Sequence, residues 1–91
     1  MIIVSYDIAD DKLRNRFSKF LKKYGHRIQY SVFKIKNSKR LLDIIKSEIV
    51  FTFEKCFSQA DSVIIIETSK NCTITNFGYA KNDEDDMIFI G

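Results

Sequence analysis

The chain contains no proline, three glycines, two cysteines and one histidine in 91 residues, and each scarcity closes off a class of answer. Without proline, repeats or low-complexity tracts, nothing marks an internal linker, and a chain of this length closes one hydrophobic core. None of the glycines builds a phosphate-cradling loop. Cys56 and Cys72 lack metal-ligand spacing and are too few for a disulfide framework, so they read as reduced thiols, at least partly buried. His26 follows Gly25 and reads as a surface turn residue, and no Ser/His/Asp or Cys/His nucleophilic arrangement is visible. No apolar run approaches the roughly 20 residues needed to cross a bilayer. The opening "MIIVSYD" has no basic segment ahead of its apolar stretch. It reads as a first strand and not a signal peptide, so a cytoplasmic location without membrane contact is expected.

Charge is abundant and unevenly placed. Residues 1–40 carry eleven Lys or Arg against three acidic residues, a balance of +8, whereas residues 41–91 carry four against nine, a balance of −5. The basic half suits a polyanion, with nucleic acid as the favoured partner. The "DEDD" run at 83–86 lacks the Gly and later Glu of a calcium loop and reads as a solvated linker.

Periodicity divides the chain into elements. Residues 1–7 form a strand. From Asp10 or Asp11, Leu13, Phe17, Phe20, Leu21 and Tyr24 recur at helical spacing, with both aspartates suited to cap the helix start and Gly25 to end it. Residues 26–35 return to strand character. After Asn37 or Ser38 as a cap, residues 39 to about 56 place Leu41, Leu42, Ile45, Ile49, Phe53 and Phe57 on one helical stripe. "DSVIIIET" (61–68) and "CTITNF" (72–77) read as a hairpin, followed by an acidic loop within 79–86 and a last strand, "MIFIG", at 87–91. Two amphipathic helices and a mixed or antiparallel sheet make an α/β sandwich in a single domain over 1–91.

Both faces of the first strand carry apolar side chains, Ile3 on one and Ile2 and Val4 on the other, and the 61–68 strand does the same. Two helices cover only one sheet face. A partner should cover the second, most simply another copy in a two-fold dimer. The "MIFIG" tail suits an edge strand on its own sheet or the partner's. Asp7 lies on the side of Ile3 and Ser5. Near a two-fold axis it meets its copy, and paired carboxylates share a proton or bind a cation, for which Mg²⁺ is suited. A solvated acidic strand end is the alternative for the same residue.

Lys12, Arg16, Lys19 and Lys23 recur at spacings of 4, 3 and 4 on the first helix and form a cationic stripe, with Arg14 at the edge of the apolar face and Lys22 widening the positive region. No acidic residue lies between positions 12 and 42. The stripe is either a solvated helix face or a track for phosphates, which positions a duplex without reading its sequence. In 26–35, Ile28, Tyr30 and Val32 alternate with Arg27, Gln29, Ser31 and Phe33, one set reading as core and the other as an interface or binding surface where Arg27 reaches phosphate or carboxylate.

"YDIADDKLRNRFSKFLKKYGHRIQYSVF", residues 6–33, resembles the CRISPR-associated protein 2 family, the small subunit of the machinery that acquires new spacers. Tyr6, Asp7, Ile8, Asp10, Asp11, Arg14, Arg16, Gly25, Arg27, Gln29, Ser31, Val32 and Phe33 fall where the family pattern has them. The 39–56 helix, "DSVIIIE" and "NFG" at 76–78 match more loosely. The resemblance implies a ferredoxin-like homodimer in which Asp7 meets its symmetry mate and binds Mg²⁺ or a related ion such as Mn²⁺, as metal ligand and catalytic residue. It implies that Arg14, Arg16, Arg27 and Phe33 hold positions associated with activity, with Tyr6 and Ser31 in support, and that the terminal strand pairs with the other subunit. It also implies either metal-dependent cleavage of RNA or double-stranded DNA, or a central dimer that holds duplex and bridges dimers of the larger integrase subunit. A toxin-like ribonuclease of the virulence-associated D type, which shares the fold, is the alternative. That fold usually has two strands between its helices, where the residue pattern shows one.

Overall fold

In the computed structural model, residues 1–68 and 72–78 are described. The acidic loop and the strand expected at 87–91 lie outside them. In chain order the elements are strand β1 (Ile2–Asp7), helix α1 (Asp11–Lys22), strands β2 (Gly25–Gln29) and β3 (Val32–Ile35), helix α2 (Lys39–Glu48), and strands β4 (Ser62–Thr68) and β5 (Cys72–Gly78). The sheet order is β2-β3-β1-β4-β5, and each neighbouring pair is antiparallel. This is an α+β, ferredoxin-like arrangement, with β1 and β3 central among the first four strands and β5 added beyond β4.

Side-chain oxygens set both helix starts. Asp10 accepts from the Leu13 amide at 2.8 Å, and Ser38 from the Leu41 amide at 3.3 Å. The stripe from Leu13 to Leu21 and the stripe Leu42, Ile45, Ile49 and Phe53 pack with Ile2, Val4, Tyr6, Phe33, Ile35, Val63, Ile65 and Phe77 into one core on one sheet face. Burying each such side chain stabilises the fold by about 1.5–3 kcal/mol. Phe17 anchors the middle of this core, edge-on to Tyr6 at 5.1 Å and to Phe53 at 4.9 Å. Past α2 the helical path continues to Cys56 but changes pitch, through a π-helical turn (Ile49–Phe53) and a 3₁₀ turn (Glu54–Cys56). The wider turn keeps Ile49 and Phe53 inward while Phe51 remains 72% exposed.

Several expectations need correction. The strand expected over 26–35 is two strands, because the chain turns at Tyr30 and Ser31 and a register shift lies between Arg27 and Gln29. The turn and the shift break the alternation assumed for this segment. Phe33 is buried in the core, whereas Ile28 and Tyr30 are exposed. Gly25 does not end α1 as a left-handed cap, since Gly78 alone has positive φ among the described residues. Gly25 instead opens β2, where an added Cβ would lie 2.1 Å from the Lys34 carbonyl oxygen. Cys56 and Cys72 are both exposed.

Candidate functional site

Asp7 is the last residue of β1, exposed, and opposite Ser62 of β4. Strand alternation puts it on the face of Ile3 and Ser5, away from the helices. On that face Ile3, Val32, Ile64, Ile66 and Ile74 are all only half-buried. The Asp7 carboxylate accepts no hydrogen bond and meets no cation among the described residues. No group of three His, Cys, Asp or Glu side chains converges there or elsewhere among the described residues. A divalent cation held here needs donors beyond one chain, which a second Asp7, water or phosphate oxygen can supply. A lone free carboxylate fits Mg²⁺, which takes one or two carboxylates and keeps several waters.

The loop after β1 is tied from two directions. Arg14 donates to the Ile8 carbonyl at 3.1 Å and pairs with Asp11, and its guanidinium stands 6.0 Å from the Tyr30 ring centre. The hydrogen bond to Asp11, offset in part by desolvation, raises the Arg14 pKa above its already high value, so this cation is permanent. Its fork is engaged in holding the loop. Asp61, 1% exposed, accepts from the Ala9 amide at 2.9 Å and the Ser58 amide at 2.8 Å, clamping the same loop to the entry of β4. Sequence reasoning missed Asp61, because its partner Ala9 is 52 residues away and no local pattern announces the contact.

The remaining expected residues separate into two groups. Lys12, Arg16, Lys19 and Lys23 all lie exposed along α1 or at its end. Arg16, Lys19 and Lys23 line a groove of 420 Å³ between α1 and the π-helical turn, together with Phe20, Phe53, Thr52 and Glu48, whose carboxylate accepts from the Thr52 hydroxyl. Tyr6 and Phe33 are core residues whose ring centres lie 6.2 Å apart. Ser31 accepts from the Tyr6 amide through its backbone carbonyl at 3.1 Å and so holds the β2–β3 turn beside Asp7. Arg27 turns to the helix side, donating to the Ser18 hydroxyl and lying 5.4 Å from the Phe33 ring centre. Asp7, Arg14 and the Tyr30–Ser31 turn therefore share one end of the sheet. Arg27 braces α1 against β2.

Comparison with known proteins accords with this architecture. A solved Thermus thermophilus hypothetical protein is 28% identical, with a TM-score of 0.60, covering 79% of this chain and 92% of its own. Streptococcus pyogenes Cas2 shares the fold at 21% identity and a TM-score of 0.50 over 99% of this chain and 98% of its own. A Methanospirillum hungatei protein named CRISPR-associated endoribonuclease Cas2 2 is 29% identical over 85 residues, 91% of each chain. Residues 1–75, which hold both ends of β1, all of α1 and the β2–β3 turn, match the family described as CRISPR associated protein Cas2, and the chain belongs to that family.

Proposed function

We propose that this protein serves CRISPR adaptive immunity in the cytoplasm, as a homodimer that binds duplex nucleic acid and bridges dimers of the larger integrase subunit during spacer acquisition. The observation that carries this reading is the half-buried apolar sheet face ending in the unpaired carboxylate of Asp7. A second copy closing over that face covers Ile3, Ile64 and Ile66 and brings two Asp7 side chains toward a shared axis. Lys12, Arg16, Lys19 and Lys23 lie on the opposite layer and stay available for phosphate.

The same dimer suits a secondary endonuclease activity on RNA or double-stranded DNA, in line with the endoribonuclease and endonuclease names of its relatives. The twin Asp7 carboxylates would hold Mg²⁺ or Mn²⁺, which supplies a polarised phosphodiester and a water of lowered pKa. Arg14 and Asp61 act on this chemistry only through the loop they hold. One carboxylate per copy is sparse equipment for hydrolysis, so weak cleavage is expected beside robust duplex binding.

Two assays run side by side test the reading. Asp7→Asn is expected to abolish metal-dependent cleavage while integration with the larger subunit continues. Reversal of Lys12, Arg16, Lys19 and Lys23 to Glu is expected to weaken duplex binding on the order of 100-fold and stop integration. Cleavage unchanged in Asp7→Asn would remove the hydrolytic role, and duplex affinity unchanged by the reversals would remove the adaptor role.

A further inference from the structure

At the end of the sheet opposite Asp7, α1 stops, β2 begins and β3 ends around a cavity of 340 Å³. Lys22, Lys23, His26, Lys34 and Lys36 line it, and no carboxylate does. None of these lysines pairs with an acidic group among the described residues. Lys22 and Lys23 answer the negative C-terminal end of α1. Lys34 and Lys36 answer no helix end, because they come from β3 and the residue after it. With lysines and no carboxylate among its lining residues, this end of the sheet carries a positive field that an anion in the cavity relieves.

The cavity also continues the α1 track. Lys23 lines both this cavity and the groove that holds Arg16 and Lys19. Twelve helical residues rise about 18 Å, which matches five or six base steps along one strand of a duplex. We propose that the cavity is a second phosphate site, which takes the backbone of a nucleic-acid duplex already lying on α1. The inference rests on the duplex-binding reading above and adds residues to it: Lys22 and Lys36 take phosphates about 20 Å from Asp7, the length of β1, whereas Lys34, opposite Ile3, lies on the sheet face given to the second copy. Duplex engaged there lies along the helix layer, and the paired carboxylates sit at the far end of its path.

The test is the salt dependence of binding to a duplex of about 20 base pairs, followed by anisotropy between about 50 and 200 mM salt, with the full chain. Lys22→Gln/Lys36→Gln is expected to reduce the slope of log K against log salt by about 1.8, near 0.9 for each lost phosphate contact. Arg40→Gln/Lys55→Gln removes the same charge from exposed residues outside the cavity and is expected to leave the slope unchanged. An unchanged slope in the first variant, or equal losses in both, overturns the proposal while leaving the duplex-binding reading intact. Absence of salt-dependent duplex binding by the unsubstituted protein overturns both.

Discussion

At the scale of single residues, two aspartates with the same side chain have opposite fates. Asp7 ends a strand in water with no partner, whereas Asp61 is buried with both oxygens accepting from backbone amides. The difference lies in what surrounds each backbone. Asp61 is the buried partner in two part-buried bonds from the exposed residues Ala9 and Ser58, and an amide that loses its acceptor away from water costs about 1–3 kcal/mol. Asp61→Ala is therefore expected to lower stability by about 3 kcal/mol, with Asp61→Asn milder because one oxygen remains. Urea unfolding of the three proteins checks this, and matching midpoints for Asp61→Ala and the unsubstituted chain would contradict it. Arg14 belongs with Asp61. Its fork holds the Ile8 carbonyl and Asp11.

At the scale of elements, the helices follow their sequence signals closely and the second strand region does not. Caps at Asp10 and Ser38 and the stripes from Leu13 to Leu21 and from Leu42 to Phe53 are local features that act over one or two helical turns. The change to a π-helical turn at Ile49 places Phe53 against Phe17 and Phe20, at 4.9 and 5.1 Å between ring centres. A widened turn of this kind needs packing to hold it. Phe53→Ala is expected to destabilise the protein by about 3–5 kcal/mol, more than loss of a helix cap. A thermal melt shows the difference, and a shift no larger than that of Ser38→Ala would mean that the turn keeps its shape without Phe53.

At the scale of the whole molecule, the sheet separates a covered face from an open one. The open face carries Ile3, Val32, Ile64, Ile66 and Ile74 together with Asp7, so the proposed association and the proposed metal site stand or fall together. Ile64→Lys puts a charge at the centre of the proposed contact twice per dimer. The dissociation constant is expected to rise about 100-fold, since each buried Ile contributes about 1.5–3 kcal/mol. Sedimentation equilibrium measures it, and an unchanged association constant would move the interface elsewhere. No helix among the described residues is long and apolar enough to cross a membrane.

By itself the sequence determined the two helices and their starts to within one residue, the buried stripes, the two-sided apolar character of β1 and β4, and the family motif around Asp7. All of these depend on neighbours within a few residues, where side-chain spacing and backbone geometry are coupled directly. Only the tertiary structure decided that 26–35 folds back at Tyr30, that Arg27 and Phe33 face the helices, that Asp61 clamps Ala9, and that Lys22, Lys34 and Lys36 meet around one cavity. Each of these joins residues through a register or a chain crossing, and strand order sets those distances while residue periodicity does not.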